Sequence, residues 1–508
     1  MSGTSLGIHE SLLLTTLLAI LWIFTLATYR VYFHPLAKYP GPLLAKLTDW
    51  YNVYHCFVGD RHIEFHRIHL RYGKIVRYGP NRVSINSATA LRTIYSPKAN
   101  CRKSSHFAVF PRFFHSWSTQ TIVDTKKFNH SQKRRVISQA LHGEAMKSIN
   151  ESIHRNLDRL CATLTDGDGS EWSAATNLSE ILSYLSFDIM GDVCFGRSFK
   201  MIEDPENRYM IKVISDGAQC LNTLGHMQKL LLTGQEQSTR ALQEITTTKR
   251  TGVFQELVSA KDPATGNSLF KESELSSESS LLMIAGSDTT ATALSATLFY
   301  LLNNPTCLRQ AQEEVVAAFE ASREGKVGMD FGGASTSKIV HSCTYLLSCI
   351  DEALRLSPPV GGLMPRETLE GGMSVDGELF PADVEIGTPH YALHHNKEYF
   401  ERPFEFHPQR WHVGSTPATQ VLLSRSAFCA FSVGPRDCVG KTFAYHDMMS
   451  VLARLLWQFD LRIPPNGTCS GGGDPAYAPG RHRVYEFQLW DTFASKSDGP
   501  QVQFRLRQ

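Results

Sequence analysis

Phe431-Ser432-Val433-Gly434-Pro435-Arg436-Asp437-Cys438-Val439-Gly440 decides how the rest of this chain is read. A cysteine that holds a metal must remain a thiolate, so its charge needs nearby donors and little water. Gly434 and Gly440 let the backbone come close and turn tightly, which can direct amide N–H groups at the sulfur. Phe431 can cover the sulfur, and Arg436 can pair with a negative group on a cofactor. The stretch 441–459 that follows reads as an apolar-rich helix, placing Cys438 near a helix N-terminus, where a thiolate is electrostatically favoured. The chain has 11 cysteines, and the usual state of a single cysteine is a buried, inert thiol. For Cys438 that reading is weak, because five specified residues in ten positions arise by chance with a probability on the order of 10⁻⁴ in a chain this long.

Two distant segments belong with it. Glu352-Ala353-Leu354-Arg355 lies in a stretch, 343–356, with helical apolar spacing at Leu346, Leu347, Ile350, Ala353 and Leu354, ending before Pro358-Pro359. Glu352 and Arg355 share a helix face, which alone describes a routine surface ion pair worth a few tenths of a kcal/mol. Ala285-Gly286-Ser287-Asp288-Thr289-Thr290 sits inside a helical run from Ser276 to Leu302, which would cross about 40 Å. A second membrane span is the competing reading there, and Asp288 among many hydroxyl side chains argues against it. Glycine and a polar cluster in mid-helix cost stability, so a functional reason is expected, and a locally opened helix would supply one.

Together these motifs resemble the cytochrome P450 family, whose heme-ligand loop has the pattern F-x-x-G-x-R-x-C-x-G. The resemblance runs from Tyr29 to the C-terminus. His34-Pro35-Leu36-Ala37-Lys38-Tyr39-Pro40-Gly41-Pro42, Tyr78-Gly79-Pro80-Asn81 and Ser357-Pro358-Pro359-Val360-Gly361-Gly362 look like fungal microsomal members. It implies a mainly α fold with a small β-rich region, heme b as cofactor, and Cys438 as axial ligand to its iron. It further implies a buried network of Glu352, Arg355 and Arg410 beneath the heme, with Gln409 where the family often has an acidic residue. Ala285 and Gly286 would leave room for dioxygen, Thr289 would hold it, and Asp288 would relay protons from solvent. Arg134 and His130, in an H-x-x-x-R pattern where the family often has Trp first, together with Arg366 and Arg436, are the expected contacts of the heme propionates. Lys126, Lys127, Lys133 and Arg135 form either a docking face for a reductase or a solvated charge run.

The N-terminus adds an address. Residues 11–29 are apolar and uncharged, close to the ~20 residues needed to cross a bilayer. Glu10 is the only charge before them and Arg30 and Lys38 follow, which fits a retained anchor with the rest of the chain in the cytosol better than a cleaved leader. Residues 30–45 read as a basic, proline-rich hinge, since Pro40 and Pro42 cannot continue a helix. Residues 46–508 read as one catalytic domain, because no linker or repeat divides them. The resulting expectation is a single-pass protein of the endoplasmic reticulum, its catalytic domain facing the cytosol.

A net charge of +2 without a basic cluster does not suggest nucleic-acid binding. Cysteines without a C-x-x-C pair fit reduced thiols rather than a zinc site or disulfide framework. The expected reaction is insertion of one atom of O2 into an apolar, ring-containing small molecule, with electrons from NADPH through NADPH-cytochrome P450 reductase. The aromatic stretch His106 to Phe114 and the segment Val360 to Met364 are the expected substrate contacts. Two alternatives are an O2-independent heme-thiolate isomerase or dehydratase, which could dispense with Asp288-Thr289, and a heme-binding protein with an impaired lid. Between Cys194-Phe195-Gly196 and the long helical run the chain looks short beside the family, and the polar stretch around Gly234 to Gly252 lies there, where the family's substrate lid is expected.

Overall fold

The computed structural model describes residues 8–109, 127–142, 145–165, 169–226, 253–261, 268–323, 334–465 and 470–507. The expected lid stretch 234–252, most of the aromatic stretch to Phe114, and Lys126 lie outside the described residues.

The first helix, Ile8–Thr28, begins three residues before the expected apolar span and continues as a π-helix, Tyr29–Phe33. His9 to Phe33 is long and apolar enough to cross a membrane, and none of its apolar window is buried. The chain then turns through Pro40-Gly41-Pro42 onto the first strand. Arg77 N–H donates to Pro40 O at 2.8 Å, and a Cβ on Gly41 would lie 2.1 Å from Arg77 O, so only glycine allows this approach. Arg77 Nη1 also holds Arg30 O at 2.7 Å, and Arg30 Nη1 holds Leu47 O at 2.5 Å. The junction between anchor and body is therefore built from specific hydrogen bonds.

The strands are β1 (Ile75–Gly79), β2 (Arg82–Ile85), β3 (Cys101–Lys103), β4 (Thr176–Asn177), β5 (Arg366–Thr368), β6 (Met373–Val375), β7 (Glu378–Phe380), β8 (Glu385–Gly387), β9 (Phe459–Arg462) and β10 (Gln501–Leu506). They form a five-stranded sheet in the order β1-β2-β8-β5-β3, a three-stranded sheet β4-β10-β9, and the hairpin β6-β7. The hairpin turns on Asp376-Gly377, both at positive φ, the signature of a tight two-residue connection.

The remainder is mostly helical. The longest helix, Glu272–Leu302, has 31 residues, spans about 45 Å and ends before Pro305. It packs along the helix Leu178–Phe195 and against the helices Thr344–Leu356 and Lys441–Gln458, and all four contribute to the largest apolar core. Because it crosses this core, polar residues at its middle are brought inside the protein. The helix runs unbroken through Gly286, without the expected local opening, and Thr289 Oγ1 and Ser287 Oγ donate back to Ala285 O and Met283 O at 2.7 Å each.

Lys133 also departs from expectation. It is buried and bridges Glu274 at 3.0 Å and Glu278 at 3.2 Å on the long helix. It therefore ties two helices together and is not part of an exposed docking face. Arg135 is exposed.

Candidate functional site

Between Phe428 and the helix Lys441–Gln458 the chain forms a compact loop carrying Cys438. Cys438 N–H donates to Phe431 O at 2.9 Å, Asp437 N–H to Gly434 O at 3.1 Å, and Ser432 N–H to Cys429 O at 2.8 Å. Gly434 has φ 82°, and a Cβ there would lie 2.0 Å from Tyr95 O, so the motif glycine is fixed by a neighbour outside the motif. Gly440 caps the following helix, with Cys438 two residues upstream. Cys438 is closely surrounded by protein and yet has an exposed side chain, the condition of a side chain on the wall of a cavity. Burial pushes its thiol up, against the Gly440 N–H, while Asp437 raises it and Arg134 and Lys441 lower it. A metal ion bound at the sulfur would favour the thiolate against this burial.

The loop rests on a buried ionic network. Arg355 grips Glu352 with two bonds, Nε–Oε2 at 3.0 Å and Nη2–Oε1 at 2.9 Å. Arg410 Nε adds a bond of 2.9 Å, Trp411 Nε1 one of 3.1 Å, and His407 N–H one of 3.0 Å, so the carboxylate accepts five hydrogen bonds. Glu352 and Arg355 are 0% exposed. Burial would raise the Glu352 carboxyl, but Arg355 and then Arg410 hold it below its usual range. The connection upward runs through His394: Arg355 Nη1 holds its carbonyl at 2.9 Å, and its Nε2 receives the Cys429 N–H at 2.9 Å. The network thus sets the height of the backbone from which the cysteine loop springs.

Basic groups flank the loop. Arg134 donates to Asp437 O at 2.6 Å and Asp437 Oδ1 at 2.5 Å, so it is tied to the residue preceding the cysteine. His130 is buried, and its imidazole is lowered to about 4 by burial, then by Arg436, Lys103 and Arg134, which places these cations around it. Arg366 stacks on Tyr95 at 4.7 Å and donates to Pro365 O at 3.1 Å. It is 6% exposed, and among the described residues it makes no ion pair. A buried guanidinium without a carboxylate calls for an acidic partner.

On the long helix, Ala285 is exposed although the residues that follow it are largely buried. The Cβ that Gly286 lacks would meet Met190 at 2.7 Å, so this glycine allows close packing of the helix Leu178–Phe195. Burial raises the Asp288 carboxyl to about 7, opposed by Lys496. Of the expected substrate contacts, Phe107 and Met364 come together in one apolar cluster with Leu221 and Phe493. The sequence carried no local signal for the last two, which arrive from a helix and a C-terminal loop distant along the chain. Phe493 is one of few non-glycine residues at positive φ (85°), a backbone state that recurs at functional sites. His394, Tyr95, Asp437 and Trp411 are further residues of the site whose roles the motifs alone did not reveal.

A soft thiol on a cavity wall, a buried cation lacking a carboxylate, and an apolar cluster fit an iron porphyrin with its two acidic side chains. Residues 46–470 match the family model for cytochrome P450. Among the relatives, "Cytochrome P450 monooxygenase AKT7" of Alternaria alternata is 36% identical over 95% of both chains. "Cytochrome P450 monooxygenase apf7" of Gibberella fujikuroi is 33% identical over 96% of this chain and 98% of its own. "Cytochrome P450 monooxygenase atnE" of Emericella nidulans is 35% identical over 94% and 93%. The chain belongs to the cytochrome P450 family and is a monooxygenase with heme b as its cofactor.

Proposed function

We propose that this cytochrome P450 inserts one atom of O2 into an apolar, ring-containing small molecule of fungal secondary metabolism, receiving electrons from NADPH through NADPH-cytochrome P450 reductase. The observation that carries the reading is the acid–alcohol pair on the long helix, Asp288 poised near neutral pH beside Thr289. Heme, when bound, supplies the iron that takes up electrons and O2. Cys438 supplies the thiolate, with the Gly440 N–H and the helix N-terminus moderating its charge. Arg366, Arg436, Arg134 and His130 are assigned to the acidic side chains of the cofactor, and Phe431 packs on Tyr445 at 5.0 Å beneath the loop. A carboxyl with a pKa of about 7 gives and takes protons at neutral pH with little driving force lost in either direction. The Thr289 hydroxyl donates to Ala285 O, which leaves its lone pairs to accept a second hydrogen bond. Leu221, Phe107, Met364 and Phe493 are assigned to the apolar substrate.

Thr289→Ala is expected to leave NADPH oxidation near the wild-type rate while product falls several-fold and peroxide rises. Asp288→Asn is expected to slow turnover on the order of 10²-fold, the usual contribution of a placed proton donor. Both are read from product, peroxide and NADPH in the reductase-reconstituted enzyme. Unchanged coupling in Thr289→Ala would count against the oxygenase reading.

We further assign the protein to the endoplasmic reticulum, with residues 46–508 facing the cytosol. The apolar helix and the basic residues after it support this, as does a neighbouring row of exposed apolar side chains, Leu43, Leu44, Trp50, Tyr54 and Phe57. Deleting residues 1–33 is expected to release most of the protein into the soluble fraction, with a salt-resistant remainder held through that row. A membrane fraction as large as the full chain's would mean that the helix is not the anchor.

A further inference from the structure

The C-terminal loop 490–496 is fastened to the middle of the long helix. Thr292 Oγ1 donates to Ser495 O at 3.1 Å, and Ser495 N–H donates to Pro359 O at 2.8 Å. Trp490 and Lys496 exchange backbone hydrogen bonds of 2.9 Å, which closes the loop. Thr292 lies four residues after Asp288, one turn along the same helix face. Lys496 follows the residue bonded to Thr292, and its charge favours the Asp288 carboxylate although, among the described residues, the two form no ion pair. Its Nζ reaches Asp216 Oδ1 at 2.9 Å on the helix Tyr209–Gly225, and Asp216 Oδ2 takes Lys212 Nζ at 2.6 Å. The Asp216 side chain is 49% exposed, so the chain of charges ends in bulk water.

The helices packed around this one carry other ionisable groups, most of them turned to their own partners; Asp447 on Lys441–Gln458 is buried with its Oδ1 lacking a hydrogen bond, and no charge from it reaches Asp288. Asp188 accepts the amides of Met201 and Ile202, Asp192 holds Asn156, Asp351 holds Tyr445, and Glu352 sits in its arginine network. Among the described residues, Lys496 is the one charged side chain that acts on Asp288, and it favours the ionised carboxylate against burial.

We propose that Lys496 is a positioning residue for proton delivery, set between half-exposed Asp216, with which it pairs, and half-buried Asp288, whose carboxylate its charge favours without a direct contact. Protons then enter where the helix Tyr209–Gly225 meets the C-terminal loop. Asp288 takes a proton from water on this path and passes it toward Thr289, while Lys496 sets the charge balance and keeps its own proton. The inference rests on the reading of Asp288 as proton donor.

The test is an infrared titration of the heme-loaded protein, with the Asp288 carboxyl band assigned by its loss in Asp288→Asn. Wild type is expected to titrate near pH 7. Lys496→Gln is expected to move the midpoint up by about one unit, and Lys496→Arg to return it, with equal thermal stability in all three. The pH dependence of NADPH oxidation in the reconstituted system is expected to move with the midpoint. An unmoved midpoint in Lys496→Gln overturns the proposal. If the midpoint moves but Asp288→Asn leaves NADPH oxidation unchanged at every pH, the failure lies in the proton-donor reading, and the delivery role falls with it.

Discussion

Glu352→Gln is expected to destabilise the folded protein by about 3–5 kcal/mol, the range for removing one partner of a buried ion pair. The substitution keeps shape and volume but removes the charge that balances Arg355 and Arg410, both buried. Neither guanidinium can reach water, and an amide offers one acceptor oxygen where two carboxylate oxygens now take five hydrogen bonds. Since His394 transmits the position of Arg355 to Cys429, the variant is also expected to lose heme during purification. The linkage has a definite sign. The Glu352 carboxyl is held below its usual range, so its stabilisation is fully present above the unfolded pKa and is lost as pH falls through the folded one. Denaturant unfolding of wild type and variant between pH 7 and about pH 3, which spans the unfolded carboxyl pKa of roughly 4.3, checks both statements. A loss under 1 kcal/mol, or a difference that grows as pH falls, would show that the network does not carry the loop.

Cys438→Ser is expected to abolish turnover to background while leaving the fold intact. Serine is near in size, and Cys438 is held through its backbone, by its own N–H to Phe431 O and by the ring of hydrogen bonds around it. What is lost is the soft, anionic ligand, and an alcohol in the same place does not ionise at neutral pH. Heme content, circular dichroism and product formation separate the two effects. A folded, heme-loaded Cys438→Ser protein with wild-type turnover would remove Cys438 from the mechanism.

The cysteine loop, the E-x-x-R helix and the long helix were legible because each is a local pattern. Their observed boundaries differ by a few residues, where propensity and packing compete. The long helix starts at Glu272, four residues before its apolar run, because Glu274 caps it by accepting the Lys271 N–H at 2.9 Å. Phe459 leaves the last helix for β9 because its ring packs on Phe504 across the sheet, at 5.7 Å. Partnerships that close over hundreds of residues left no local trace. Lys133 reads as a surface base until Glu274 and Glu278 arrive beside it, and nothing near Gly434 announces Tyr95. Gly286 also serves packing that its motif did not reveal, since the side chain of Met190 lies against the position its Cβ would take. In the same way a polar mid-helix segment suggested an opening, while Thr289 satisfied its hydroxyl within the helix.

The most direct test is the absorption spectrum of the purified, reduced, wild-type protein under carbon monoxide. Thiolate ligation of the heme iron would shift the Soret band of the carbon monoxide form far to the red, and this is the predicted result, with Cys438→Ser abolishing it. A band at the position given by histidine ligation, in undenatured wild type, would contradict the account.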